Sequence, residues 1–198
     1  MLTVRSATLR EVEQVGATLA AAFADDPVWA AMASPAADWS ARASSWFATD
    51  ARLQLRGRGE VLVDHELRGA AVWAPPGHWK PSMRESAGLA VPSLRLFRSR
   101  IPTAARMWAV MEKRHPRAPR HWYLALLGTH PAHQGRGVGS ALIRAITDRC
   151  DQEGVPAYLE SSKEQNVPFY RRHGFEVREV VTLPDGPPSW FMWREPRG

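Results

Sequence analysis

LALLGTHPAHQGRGVGS, Leu124–Ser140, changes character several times over its length. Leu124–Gly128 is an apolar run of strand length, and Pro131 marks a turn after it. Gln134-Gly135-Arg136-Gly137-Val138-Gly139-Ser140 is glycine-rich, and Ala141-Leu142-Ile143-Arg144-Ala145-Ile146 has helical, amphipathic spacing. The order is strand, glycine-rich turn, helix. Closely spaced glycines let the backbone turn its N–H groups outward and approach a ligand closely. A helix that starts there adds its own unpaired N–H groups and the positive end of its dipole. Such a segment suits a phosphate or pyrophosphate.

Three phosphate-binding patterns compete for it. A P-loop needs Gly-x4-Gly-Lys-Ser/Thr, and no Lys stands here. A dinucleotide fold needs Gly-x-Gly-x-x-Gly tight against its strand. Gly135 and Gly137 fit that pattern, Ser140 holds the third place, and Glu160 follows where a ribose-binding acid would stand. The Thr129–Gln134 segment is too long for that tight first turn. The third pattern, Gln-x-x-Gly-x-Gly, is met by Gln134, Gly137 and Gly139. It resembles the pyrophosphate loop of the Gcn5-related N-acetyltransferases (GNAT), which bind acetyl-coenzyme A.

The chain has 198 residues, enough for one domain with a sizeable core. No apolar run approaches membrane-spanning length and the N-terminus has no signal-peptide pattern, so a cytoplasmic protein without a membrane partner is expected. The one cysteine, Cys150, excludes an intrachain disulfide, fits a reducing compartment and reads as packing. The net charge is +6. Much of the excess lies in Arg95, Arg98, Arg100, Arg106, Lys113, Arg114, Arg117 and Arg120. No nucleic-acid motif accompanies this block, so no nucleic-acid partner is expected. It reads as a solvated helical face, or as a means of steering a polyanion such as coenzyme A.

Ahead of the central stretch, Leu2–Ala7 reads as a strand, and Thr8 with Glu11 as a capping box for a helix through Ala22. Pro27 stops that helix. Asp25 and Asp26 read as turn residues, or as carboxylates that attract an amine. A second helix is predicted over 36–55, and an antiparallel hairpin from Glu60–Asp64 and Gly69–Ala74. Two helices around Leu89–Leu96 and Ala104–Met111, split by Pro102, are read as an insertion at about 78–118. After the central strand, Trp122–Gly128, and its helix, Ala157–Ser161 is a strand reached by a β-α-β step and parallel to the fourth. Asn166 reads as the cap of a short helix that accepts Pro168 in its first turn and ends at Gly174. Phe175–Leu183 and Trp190–Arg194 form a terminal hairpin.

Asn166-Val-Pro-Phe169-Tyr170-Arg-Arg-His-Gly174-Phe175 resembles the second GNAT motif, Asn-x-x-x-x-Phe/Tyr-x-x-x-Gly-Phe, allowing for local spacing. Residues 115–197 are most similar to the puromycin N-acetyltransferase branch, through Gly154–Ser161, Asn166–Tyr170 and the Pro184–Trp190 turn. Thr18–Asp25 and Ala71–Trp73 share the similarity, which is weakest at 76–114. The resemblance implies an α/β fold over 1–198. Its central sheet is mixed and mostly antiparallel, with parallel strands four and five splayed around the cofactor and helices on its flanks.

The same resemblance implies the chemistry. Acetyl-CoA is the acyl donor and no metal takes part. The acceptor is the primary amine of a small molecule, in the nearest branch an aminonucleoside-like antibiotic, and the step is direct transfer in a ternary complex. Main-chain groups of Leu127 and Thr129 would bond the pantetheine arm, with Gly128 giving close approach. N–H groups from Gly135, Arg136, Gly137, Val138, Gly139 and Ser140, after Gln134, would hold the pyrophosphate. Asn166 and Phe169 would contact the cofactor, and Tyr170 would be the acid that protonates the leaving thiolate. Glu160 has three readings: base for the amine, binder of the cationic amine, or structural carboxylate. His130 and His133 read as turn and helix-entry contacts. The spacing of His115, His121, His130 and His133 suits no zinc site. Acetylation of a protein or peptide amine and a non-catalytic acyl-CoA sensor are the other functional readings. Monomer and homodimer are both compatible with the sequence.

Overall fold

The structure, a computed structural model, describes residues 2–33 and 38–197. The chain begins with β1 (Val4–Ser6), α1 (Val12–Ala22), α2 (Pro27–Met32) and α3 (Trp39–Arg56). The hairpin β2 (Glu60–Asp64) and β3 (Gly69–Ala74) leads to α4 (Met83–Phe97) and α5 (Ile101–Arg114). Then follow β4 (Trp122–Thr129), α6 (Val138–Glu153), β5 (Ala157–Ser161), α7 (Val167–Arg172), β6 (Glu176–Thr182) and β7 (Pro188–Arg194). The strands form one sheet in the order β1-β2-β3-β4-β5-β7-β6. Only β4 and β5 pair in parallel; the other pairs are antiparallel.

Alternation along the strands sends side chains to two layers. Val61, Val63, Ala70 and Val72 face a core shared with α1 to α5, while Leu62, Ala71 and Trp73 face a second core shared with α6 and α7. On β4 the alternation is interrupted. Val72 stands opposite Leu126 and Trp73 opposite Leu124, which leaves Ala125 as the extra residue of a bulge. Leu124 therefore packs on the α6 side and Leu126 on the α1 side, although they are two residues apart. The bulge re-aims the strand just before it reaches the glycine-rich turn.

Local chemistry explains the element ends. Thr8 and Glu11 do meet, but Thr8 N–H and hydroxyl both donate to the Glu11 carboxylate, and α1 starts only at Val12. Glu11 also binds Arg5 at 2.6 and 2.9 Å, which ties the helix entry to β1. α1 already ends at Ala22, short of Pro27; Pro27 instead opens α2, with the Asp26 carboxylate accepting from Val28 and Trp29 N–H at 3.0 Å. Residues 36 and 37 of the predicted second helix lie outside the described residues; α3 starts at Trp39. Ser82 and Glu85 form the capping box of α4, well ahead of the apolar spacing at Leu89. Asn166 precedes α7 without a side-chain cap bond, which corrects the capping role expected for it. At the far end, Arg194 holds Asp151 of α6 through bonds of 2.7 and 2.6 Å and the His173 carbonyl at 2.9 Å. Cys150 is fully buried beside them, and burial pushes its thiol up to about 12.

Candidate functional site

Strands β4 and β5 pair over three residues only, Trp122 to Leu124 against Ala157 to Leu159. Beyond them β4 stays with β3 as far as Thr129, and β5 stays with β7 as far as Ser161. The two strands part, and a cleft of about 1200 Å³ opens where they separate. Leu127, Gly128 and Thr129 line it from β4, and Glu160 and Ser161 line it from β5.

The turn after β4 is built by short local bonds. His130 N–H donates to the Arg68 carbonyl at 2.8 Å, and His130 Nδ1 accepts from Ala132 N–H at 3.3 Å. Gln134 Nε2 donates to the Thr129 carbonyl at 3.3 Å and ties the loop to the strand it leaves. Gly135 (φ 74°) and Gly137 (φ 82°) sit in the left-handed region, where a side chain is strained. Gly137 is the N-cap of α6, and no side chain caps that helix. The amides of Val138, Gly139 and Ser140 start α6 on the wall of the cleft. The Phe169 ring lies 3.4 Å from where a Gly139 Cβ would stand. Arg136 is exposed and is not part of the lining. At Gly128 the missing side chain makes room for α1, because a Cβ would come within 2.8 Å of Ala22. Ser140 Oγ is occupied by His173 Nε2 at 3.1 Å.

Across the gap, Asn166, Phe169 and Tyr170 line the cleft from the start of α7. Tyr170 is 9% exposed, and burial first, then the charge of Asp26, raises its hydroxyl above the ordinary phenol value. Asp26 is itself raised by burial, while Asp25 is lowered by the bond from Lys163 at 2.6 Å. Both aspartates line the cleft as well as making the turn.

Glu160 follows Tyr158 at the strand period of two, on the α1 to α5 side of the sheet. His115 closes α5 and brings Nδ1 to 3.6 Å from Glu160 Oε1. The His115 ring is stacked on Trp79 at 3.8 Å, and its Nε2 lies 3.0 Å from His121 Nε2. The proton positions follow from the partners. His121 Nδ1 lies 2.9 Å from the Pro119 carbonyl, which can only accept, so Nδ1 carries the hydrogen. Burial lowers the basicity of His121 and favours its neutral form, whose Nε2 accepts from His115 Nε2–H. In that tautomer His115 Nδ1 carries no hydrogen, and it faces Glu160. Burial, followed by the charge of Glu160, raises the hydroxyls of Tyr123 and Tyr158.

The rest of the cleft is walled by α2 to α5. Trp29, Trp46, Trp79 and Trp108 line it together with Asp50, Gln54 and Glu85. Among the described residues no group of three or more His, Cys, Asp or Glu side chains is placed to hold a metal ion.

Residues 103–175 match the profile of the Acetyltransferase (GNAT) family, from the first turn of α5 to the residue before β6. An uncharacterised N-acetyltransferase of Schizosaccharomyces pombe is 32% identical over 152 residues, 70% of this chain and 61% of that protein. The chain belongs to the GNAT superfamily. A crystal structure titled histone acetyltransferase HPA2 and related acetyltransferase, from Corynebacterium glutamicum, is similar over 100% of this chain and 98% of that one. Its TM-score is 0.75 and its identity 26%. The Drosophila melanogaster polyamine N-acetyltransferase, which forms N-acetylagmatine, shares the fold with a TM-score of 0.58 and 18% identity, over 98% of this chain and all of that one. The chain spans 61% of the length of the yeast relative.

For a GNAT chain the glycine loop and the Asn166–Phe175 motif were open to sequence reading, and the fold brings both to one cleft. His115 and His121 were weighed only as metal ligands. Their six-residue spacing around Pro119 is the one signal of a ring pair, and nothing near them in sequence points to Glu160. Nothing in the sequence marks Asp50, which stands inside α3 between Phe47 and Leu53.

Proposed function

We propose that this protein transfers the acetyl group of acetyl-CoA to the primary amine of a small molecule, directly and within a ternary complex. The observation that carries this is the parting of β4 and β5 immediately before an uncapped, glycine-led helix start. That geometry leaves strand-edge polar groups and helix amides facing one cleft. The residues fit a coenzyme. At Gly135 a Cβ would meet nothing within 4 Å, so the loop leaves open space beside amides that favour an anion. The amides from Gly135 to Ser140 would hold the pyrophosphate, the backbone of Leu127 and Thr129 the pantetheine arm, and Asn166 and Phe169 its flank. Bound there, acetyl-CoA supplies the activated thioester.

The chain's own groups do the remaining work. The amine must lose a proton to attack, and Glu160 takes it, with His115 Nδ1 3.6 Å behind the carboxylate as the next proton acceptor. Desolvation keeps the Tyr170 hydroxyl protonated, so it is ready to donate to the departing sulfur. Helices α4 and α5 wall the acceptor half, which favours a small molecule over an extended peptide. The polyamine acetyltransferase of the same fold acts on an acceptor of that size. An aminonucleoside-like antibiotic is the narrower candidate suggested by the likeness of residues 115–197. The test is release of free coenzyme A by the purified protein on a panel of amines that includes puromycin, diamines, aminoglycosides and short peptides. Release with a small amine supports the proposal. Release with peptides alone moves it to a macromolecular acceptor, and tight acetyl-CoA binding without any release moves it to a sensor.

A further inference from the structure

Asp50 is a buried acid without a cation. Trp46, Asp50 and Gln54 are spaced by four on α3 and all line the cleft. Asp50 is 8% exposed, and among the described residues its one side-chain hydrogen bond comes from Gln54 Nε2, a neutral donor 3.3 Å away. Among the described residues no Arg, Lys or His pairs with it. The other buried aspartates differ. Asp64 holds Arg68 at 2.8 Å and Gly69 N–H at 2.9 Å, and Asp26 caps α2. An unpaired carboxylate in such a place is costly to bury. Its environment makes the charge harder still to carry: burial first, then the charge of Glu85 from α4, raise Asp50 to about 6. Lys80, also in the lining, is taken by Glu112 at 2.6 Å. Trp46 and Trp29 meet edge to face at 5.1 Å on the same wall and offer aromatic surface to a cation. Tyr123, on the sheet, feels the charge of Asp50 and that of Glu160, so both acids serve one cavity.

We propose that Asp50 anchors a cation subsite, and that the natural acceptor is a small amine bearing a second cationic group, held by Asp50 while the reacting amine meets Glu160. This rests on the acetyl-transfer reading above. A ligand cation would supply the partner that the fold withholds from Asp50, with Glu85 adding to the attraction and the tryptophans excluding water around it. An acceptor with a single amine would satisfy Glu160 and leave Asp50 unpaired.

The test compares α,ω-diaminoalkanes with monoamines of equal length as acceptors, for the native protein and for Asp50→Asn. The native protein is expected to prefer diamines, with an optimum at one chain length, and the variant to lose at least about tenfold of that preference, through KM. Loss of activity by the same factor on both series, or no diamine preference in the native protein, overturns the subsite while acetyl transfer stands. Calorimetry keeps the two readings apart. Diaminoalkane binding to the coenzyme A complex near pH 5.5, in two buffers of different ionisation enthalpy, should release a proton from Asp50, and the release should vanish in Asp50→Asn. Proton release without turnover of any amine supports the subsite and removes acetyl transfer. Binding with equal proton release in both proteins overturns the subsite. Thermal unfolding of the variant confirms that it is folded.

Discussion

Tyr170 and Asp50 are both buried beside the cleft; burial favours the neutral form of each, with opposite consequences for their roles. For a phenol that serves as an acid, desolvation is useful, because the neutral form is the one that donates. Tyr170→Phe should lower turnover by about a hundredfold or more and leave acetyl-CoA affinity within about twofold. Steady-state kinetics with an equilibrium titration of the cofactor check this, and unchanged turnover would remove Tyr170 as the acid. For Asp50, desolvation opposes the charged form that a cation subsite needs. Its value of about 6 in the fold lies above the ordinary 3.8. Between those values the native state holds a proton that the unfolded chain has released. Stability therefore falls as pH rises through that window, and the deficit is complete above it. Asp50→Asn should then be more stable than the native protein by about 3 kcal/mol at pH 7, with the gain shrinking to nothing near pH 3.5. Urea unfolding at both pH values reads the difference. A gain that persists at the lower pH would point to packing rather than to charge.

At the scale of elements, the C-terminal end of α6, the end of α7 and β7 are joined by one guanidinium. Arg194 is 3% exposed, and Asp151 is lowered chiefly by its bond to Arg194. Replacing Arg194 with Met removes both guanidinium bonds from Asp151, which keeps only the Arg197 N–H at 2.6 Å, and takes this donor from the His173 carbonyl. Chemical denaturation should show a loss of about 3 kcal/mol or more. A loss under 1 kcal/mol would mean that solvent satisfies both groups. Elements with their own local signal were legible before folding. The β2–β3 and β6–β7 hairpins carry short apolar runs bounded by turn residues, and the central strand, loop and helix carry glycine spacing. Residues whose role depends on context carry no such signal. Pro27 opens α2, although in sequence it reads only as a stop for the helix before it. Asn166 has the chemistry of a cap, yet its side chain makes no cap bond and α7 forms without it. The bulge at Ala125 leaves no mark, because Leu124 and Leu126 are equally apolar while facing different layers. The contact of His115 with Glu160 joins α5 to β5, and no periodicity spans that distance.

For the whole molecule, charge and cleft have to be considered together. The basic block is exposed, and part of it is paired: Arg98 binds Asp38 at 2.8 Å, Arg106 binds Asp185 at 2.5 Å, and Arg114 binds Glu179. These exposed pairs contribute little each and weaken with salt. The net charge of +6 remains and favours approach of a polyanion over distances comparable to the Debye length. The cleft lies where the sheet opens, between the layer of α1 to α5 and the layer of α6 and α7. A coenzyme seated there would touch β4, α6 and α7 at once, and would bind the native state but not the unfolded chain. Linkage then adds about 2.7 kcal/mol at a ligand concentration one hundred times Kd. For a chain of this size that corresponds to a rise in Tm of roughly 5–10 °C. Acetyl-CoA should produce such a rise, and raising the salt from about 50 to 500 mM should reduce it, because screening weakens anion capture. Dephospho-coenzyme A, with less negative charge, should lose less of its shift to salt. A rise indifferent to salt would locate the affinity in the strand-edge contacts of Leu127 and Thr129 rather than in the amides of the α6 start. No rise at saturating acetyl-CoA would remove the cleft as its binding place.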